Sequence, residues 1–189
     1  MRILFIVPEY PPYNIGGGGI AIQEITQTLS RNGYDVYVIA GYYPTRSLFE
    51  KVSKSIEGKV KIFWLPLIPS PRSSFQLKTV MPPNLFSVSI LMKIILKWDF
   101  NIIHLHGFGH MLVDIAALLC RVAGKRYIFT LHGFPRSPLN SIGVIRILYT
   151  LYFFTIGKST LSLASKITTV SSAVKEEAVS YTHLRAPRD

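Results

Sequence analysis

The sequence predicts an α/β fold with a doubly wound, mostly parallel sheet. Short β-branched and aromatic runs alternate with longer helical patterns, which is the signature of βαβ units. The chain has 189 residues, enough for one well-buried domain, and its 49% hydrophobic and 16% charged residues exclude a disordered chain. We therefore expect one α/β domain over residues 1–179.

Each predicted element has a local reason in the sequence. The strands are short apolar or β-branched runs at residues 2–7, 35–40, 59–65, 101–105, 126–131 and 166–170. The helices are longer apolar-periodic segments at residues 19–31, 84–97 and 110–123, with a last helix from residue 173. Asn32-Gly33 is typical of a helix C-terminus, and Ser171-Ser172 of an N-terminal cap.

Two stretches interrupt this alternation. Residues 42–83 contain several prolines after the strand at 59–65, which predicts a surface excursion. Residues 142–157 are largely apolar and aromatic, but Arg146 interrupts them and they are shorter than the ~20 residues of a membrane span. We expect a buried or interfacial helix there.

Cysteine content and net charge indicate which cellular compartment and which classes of partner the sequence favours. The single cysteine, Cys120, lies in an apolar helical run, so we expect a buried, inert thiol, and with no signal-peptide pattern we expect a cytoplasmic protein. Lys and Arg outnumber Asp and Glu by 21 to 10, which favours an anionic partner. The basic residues are scattered, so we expect a phosphorylated substrate or an anionic membrane surface and no nucleic acid.

The last ten positions do not continue the pattern. Residues 180–189 match no element in period or composition and resemble read-through of a cloning adapter. We expect them to be a non-native tail, and we expect the native protein to have continued.

A run of four glycines, Gly16, Gly17, Gly18 and Gly19, opens the first helix after a strand and a loop. Without side chains, backbone N–H groups and the helix dipole can approach an anion, so a phosphate cradle is favoured over a flexible turn. The eight residues between the strand and the glycines, and the second strand's end without a carboxylate, disagree with a dinucleotide fingerprint. The P-loop pattern is also missing.

The loop before the glycines is rich in aromatic residues. Glu9, Tyr10 and Tyr13, together with two prolines, would suit a sugar or a lipid-linked acceptor at the mouth of a cleft. An ordinary loop without a ligand explains these residues equally well.

Two His-Gly pairs follow neighbouring strands. His106-Gly107 ends the fourth predicted strand, and His132-Gly133 ends the fifth. Both pairs are thus at the carboxyl ends of strands, where open α/β sheets place their ligand crevice. We expect His104 to pack or to hydrogen-bond within the sheet, and His106 and His132 to reach the cleft. These three histidines could bind zinc, but no cysteine or carboxylate lies close in sequence, so we expect no metal.

The ordered set of these motifs resembles the N-terminal domain of retaining family-4 glycosyltransferases of the GT-B architecture. The motifs are Met1-Arg2-Ile3-Leu4, Tyr10-Pro11-Pro12, Gly16 to Gly19, Gly33-Tyr34-Asp35-Val36, Ile102-Ile103-His104-Leu105-His106-Gly107, Thr130-Leu131-His132-Gly133 and Ile167-Thr168-Thr169-Val170-Ser171. Each motif alone is weak, but their order and spacing cover nearly all of residues 1–179.

The resemblance implies two Rossmann-like domains facing a cleft, and transfer of a hexosyl unit from a nucleotide sugar to a glycan or lipid-linked acceptor with retention. It implies that Gly16 to Gly19 contact the donor diphosphate and that His132 lies near the transferred sugar as the catalytic residue. Tyr10, His106, Gly107 and Gly133 would lie on the acceptor side.

The resemblance also implies a nucleotide sugar as co-substrate and no bound cofactor. The donor-binding C-terminal domain would be absent from this chain, which alone should lack activity. A peripheral enzyme at the inner face of the membrane is compatible with the basic, aromatic composition. Two alternatives remain: a non-catalytic phosphate- or glycan-binding module, and one half of a sugar-nucleotide 2-epimerase.

Overall fold

The computed structural model has a seven-stranded sheet with helices on both faces. It describes residues 1–13, 16–43, 50–68, 82–134, 147 and 150–182. The strands are β1 Arg2–Val7, β2 Asp35–Tyr42, β3 Ser53–Glu57, β4 Val60–Pro66, β5 Ile102–His106, β6 Ile128–Leu131 and β7 Lys166–Thr169. The helices are α1 Gly17–Arg31, α2 Leu85–Lys97, α3 Met111–Val122, α4 Lys158–Ser162, which continues a π-helical turn at Phe153–Gly157, and α5 Ser172–Thr182.

The strand order is β3-β4-β2-β1-β5-β6-β7. Every neighbouring pair is parallel except β3 and β4, which form an antiparallel hairpin. The chain therefore builds outward from β1 in one direction and then returns to build outward in the other. This reversal between β1 and β5 is the switch point of a doubly wound sheet. The predicted fold class is confirmed.

The two faces of the sheet have separate cores because side chains alternate along β1. Phe5 and Val7 point to the face covered by α1, where Ile22 packs against them. Leu4 and Ile6 point to the opposite face, where buried residues of α2, α3, α4 and α5 pack. Both faces of the central strands are thus apolar, as parallel strands require.

The helix ends agree closely with their sequence signals. The Asn84 side chain accepts a hydrogen bond of 2.9 Å from the Ser87 backbone N–H and caps α2. Ser171 accepts one of 3.3 Å from the Val174 backbone N–H at the start of α5. Cys120 on α3 is fully buried, as expected, and burial raises the pKa of its thiol to about 12.

Three differences from the predictions concern α1, β3 and α5. Helix α1 starts at Gly17, two residues earlier than expected, so Gly17 to Gly19 belong to its first turn and Gly16 is its N-cap. Strand β3 was not predicted, because this edge strand is polar and exposed along most of its length and has no apolar signal. Helix α5 continues to Thr182, beyond the expected break at Val179.

The remaining predictions fall largely outside the described residues. Seven of the sixteen residues of the apolar stretch 142–157 lie there, and its described part is helical and ends in the π-helical turn Phe153–Gly157. The proline-rich residues 69–81 and the end of the chain, residues 183–189, lie outside as well. Within the described ranges, no helix is long and apolar enough to cross a membrane.

Candidate functional site

The candidate site lies at the carboxyl ends of β1, β5 and β6, where the strand order reverses. Strand β1 leads through the loop after Val7 to the N-terminus of α1. His106 is the last residue of β5, and His132 follows directly after the last residue of β6. Because parallel strands end at the same edge of the sheet, the glycines and both histidines meet there.

The N-terminus of α1 carries no side chain in its first turn. Gly16 is the N-cap, and neither a side-chain cap hydrogen bond nor an acidic residue occupies the first turn. The first backbone N–H groups of a helix have no partner within the helix, and the dipole makes this end positive. The predicted glycine cradle is therefore an open helix N-terminus in the structure.

The His132 side chain lies directly beside this helix end. A Cβ atom placed on Gly18 would stand 3.6 Å from Nδ1 of His132, which is ordinary van der Waals contact. His132 is half-buried, and desolvation lowers its pKa. The structure thus brings together two features that are more than a hundred residues apart in sequence.

His106 does not reach a cleft surface, which corrects the expectation from the sequence. Its side chain is only 2% exposed, and its ring stacks on Phe5 with centroids 5.8 Å apart. Its Nδ1 lies 3.1 Å from Nε2 of His132, within hydrogen-bond distance. Burial, reinforced by neighbouring His104 and His132, lowers the pKa of His106 to about 2, so the ring is neutral.

His104 hydrogen-bonds within the sheet, as expected. Its Nε2 lies 2.6 Å from Oγ1 of Thr130, which in turn lies 2.6 Å from Oγ1 of Thr168 on β7. Burial lowers the pKa of His104 to about 4. In the part of the chain that the structure describes, no group of His, Cys, Asp and Glu residues is arranged to hold a metal ion.

Tyr10 is also buried, and this corrects its assignment to the acceptor surface. The side chain is 0% exposed, its hydroxyl lies 2.9 Å from Oγ1 of Thr26, and its ring packs edge-on against Trp64. Burial raises the pKa of Tyr10 to about 12. The residue anchors the loop to α1, and its apolar ring and short distance from β1 explain why it enters the core.

The exposed aromatic residue of this loop is Tyr13, the second ring that the sequence places at the mouth of the cleft. Its side chain is 57% exposed, and its ring stacks on Tyr42 at the end of β2 with centroids 4.8 Å apart. Glu9 also approaches the glycines, because a Cβ on Gly16 would lie 2.8 Å from its Oε2. Only the tertiary structure distinguishes Tyr13 from Tyr10.

The two glycines that follow the histidines have different surroundings. Gly107 has φ +86°, and a Cβ there would lie 2.6 Å from Cγ of Pro8. Gly133 has φ +152°, and a Cβ there would meet no atom of the described residues within 4 Å. Gly107 is therefore required by close packing, whereas Gly133 is required only by its backbone conformation.

The open helix N-terminus and the half-buried histidine lie together at the switch point of a doubly wound α/β sheet, where sheets of this class place their ligand crevice. The model of Glycosyltransferase Family 4 matches residues 15–188, and the chain therefore belongs to this glycosyltransferase family. No curated protein matches the chain significantly in sequence.

Several solved structures share the fold at low sequence identity. The E. coli trehalose-6-phosphate structure bound with UDP-2-fluoro glucose has a TM-score of 0.57 and 12% identity, over 100% of this chain and 45% of that one. The catalytic domain of starch synthase IV from Arabidopsis thaliana, bound to ADP and acarbose, has a TM-score of 0.54 and 13% identity, over 96% and 50%.

A third similar structure is an α,α-trehalose-phosphate synthase (UDP-forming) from Burkholderia vietnamiensis, with a TM-score of 0.53 and 13% identity over 96% of this chain and 42% of that one. These structures are GT-B glycosyltransferases, and the mostly parallel, Rossmann-like sheet of this chain matches theirs. The chain spans about half of their length.

Proposed function

We propose that this chain forms the acceptor-side domain of an enzyme that transfers a hexosyl unit from a nucleotide sugar to a glycan or lipid-linked acceptor, with retention of the anomeric configuration. Gly16 to Gly19 face the donor diphosphate, and His132 is the catalytic residue beside the transferred sugar. The observation that supports this most strongly is the close approach of the His132 ring to Gly18 at the open N-terminus of α1, where a Cβ on Gly18 would lie 3.6 Å from Nδ1.

The chemistry of glycosyl transfer explains why such a contact is useful. As the bond to the sugar breaks, negative charge grows on the nucleotide diphosphate. Unpaired backbone N–H groups at a helix N-terminus stabilise that charge without reorganising. The absence of side chains in the first turn of α1 leaves room for phosphate oxygens, and His132 can hydrogen-bond an adjacent sugar oxygen.

The buried residues support this site from behind. Tyr10 and His106 hold the α1 loop and His132 in place, and Gly107 allows the close approach of Pro8. Gly133 and the exposed ring of Tyr13 remain available on the acceptor side. The formal charge of +11 favours an anionic acceptor or the anionic surface of the inner leaflet, with the enzyme cytoplasmic and peripheral.

The experiment expresses the protein from the whole of its source gene. The encoded protein is assayed for transfer from UDP-, GDP- and ADP-hexoses to lipid extracts and oligosaccharides, and NMR of the first product reports its anomeric configuration. Replacing His132→Ala should lower kcat/KM by about 10²- to 10³-fold, the usual effect of losing a transition-state hydrogen bond. The 189-residue chain alone should show no transfer.

Thr130→Val is the matched control. It changes a residue on β6, two positions before His132, and removes the hydrogen bonds of Thr130 to His104 and Thr168 within the sheet. Full activity of His132→Ala, or an inverted product, would contradict the proposal. Ligand binding without any transfer would identify a phosphate- or glycan-binding module, and epimerisation of the free nucleotide sugar would identify a 2-epimerase.

A further inference from the structure

The hydrogen bond between His106 and His132 leaves one nitrogen of each ring to account for. Nδ1 of His106 and Nε2 of His132 are 3.1 Å apart, so one of them donates and the other accepts. The remaining nitrogen of His132, Nδ1, is the ring atom nearest to Gly18, 3.6 Å from the position that a Cβ on Gly18 would take. The remaining nitrogen of His106, Nε2, is buried and has no hydrogen-bond partner among the described residues.

We propose that His106 is a positioning residue, which donates its Nδ1–H to Nε2 of His132 and so makes His132 carry its own proton on Nδ1, the ring nitrogen nearer to the N-terminus of α1. Combined with the proposed function, on which this part rests, His132 then acts as a hydrogen-bond donor to a donor-substrate oxygen. It does not act as a general base through Nδ1.

The choice of donor follows from the environment of His106. The ring lies between Phe5, 5.8 Å away, and His104, 4.1 Å away between ring centroids. Such burial keeps the ring neutral, with one proton for two nitrogens. A proton on Nε2 would be a buried N–H without an acceptor, which is rarer in proteins than a buried acceptor without a donor. The proton is therefore on Nδ1.

The proton position on His132 then follows from the shared hydrogen bond. Because Nε2 of His132 accepts from His106, neutral His132 must hold its proton on Nδ1. Protonating Nε2 as well would set two N–H groups against each other, so this contact also opposes the imidazolium form. A free histidine in water prefers the tautomer with its proton on Nε2. In a protein, the hydrogen bond made by one ring nitrogen decides whether the other nitrogen carries the proton.

The tautomer can be measured directly on the ¹⁵N-labelled 189-residue chain. Long-range ¹H–¹⁵N correlation spectra distinguish a protonated Nδ1 from a protonated Nε2 in each histidine. We expect the proton of His132, and that of His106, on Nδ1. A wild-type His132 protonated on Nε2 overturns the proposal without any variant being needed.

Variants then test whether His106 causes this state. In His106→Leu, Nε2 of His132 no longer accepts a hydrogen bond from residue 106. His132 should therefore revert to the tautomer with its proton on Nε2. In His106→Asn the amide nitrogen can replace Nδ1, so the Nδ1 tautomer should be restored. The matched control Thr130→Val, on the neighbouring strand, should leave the His132 spectrum unchanged. A His132 tautomer that is the same in His106→Leu as in the wild type contradicts the proposal.

In the enzyme encoded by the full native gene, His106→Leu should lower kcat by roughly 10- to 100-fold with little change in KM, because an orienting partner is lost while the binding surface remains. His106→Asn should recover part of that loss. If the tautomer behaves as proposed but His132→Ala transfers at the wild-type rate, the proposed function fails while the role of His106 stands. If transfer requires His132 but the tautomer is independent of His106, only the positioning role fails.

Discussion

The two His-Gly pairs are almost identical in sequence context, yet they occupy different environments. His106 is the last residue of β5 and is buried, whereas His132 lies one position beyond the end of β6 and is half-buried beside α1. The same difference appears in the glycines, because Gly107 is packed against Pro8 and Gly133 is open. A shift of one position relative to the strand end separates a supporting residue from a residue that can face a ligand.

The largest expected effect concerns the glycines. Gly107→Ala should lower the free energy of unfolding by about 3 kcal/mol, since left-handed backbone strain of roughly 1–2 kcal/mol adds to overpacking of about 1–3 kcal/mol against Pro8. Gly133→Ala should cost only about 1–2 kcal/mol, because strain acts there without a clash. Guanidinium unfolding midpoints measure both variants, and equal losses would show that the packing difference has no energetic weight.

The histidines should differ in their effect on acid stability. The pKa of His106 is about 2 in the folded chain against 6.5 for the ordinary group, so its contribution is present above pH 6.5 and is lost as the pH falls. Between about pH 6.5 and pH 5, this residue alone should lower the free energy of unfolding by roughly 2 kcal/mol, and His106→Leu should remove that loss.

His132→Ala should change this acid dependence much less, since the side chain is only half-buried. His104 remains in both variants. Buried Asp114, whose pKa is raised to about 6, has the opposite sign, because its contribution is lost as the pH rises through about 6. The contributions of His104 and Asp114 are the same in the variants and in wild type. They cancel when the free energies of urea unfolding of each variant and of wild type are compared at about pH 6.5 and pH 5. Equal slopes for His106→Leu and wild type would mean that His106 is not buried in solution.

The smallest expected effect on stability concerns the first turn of α1, which lies beside His132. Gly17→Ala and Gly18→Ala should each raise the free energy of unfolding, by at most about 1 kcal/mol, because alanine favours the helix and neither Cβ would clash. The NMR signals of His132 should move only in Gly18→Ala, and those of His106 in neither variant. A response of His132 to Gly17→Ala would show that its ring lies elsewhere.

Much of the fold could be read from local pattern. The alternation of apolar strands and periodic helices predicted the doubly wound sheet, and all six predicted strands are present with shifts of one or two residues at most ends. These elements are detectable because burial of both faces of a parallel strand forces a continuous apolar run. The polar hairpin strand β3 was missed for the opposite reason, since an exposed edge strand needs no such run.

The sequence by itself determined the class of fold, the family and the cluster of glycines and histidines at one edge of the sheet, because alternating strands and helices predict a parallel sheet whose strands end at the same edge. Only the tertiary structure decided how deeply each of these side chains is buried. Tyr10 and His106 enter the core, whereas Tyr13 and His132 do not. The physical reason is that burial depends on the register between neighbouring strands and on what packs above them, and neither is encoded in the residues adjacent to a histidine or a tyrosine.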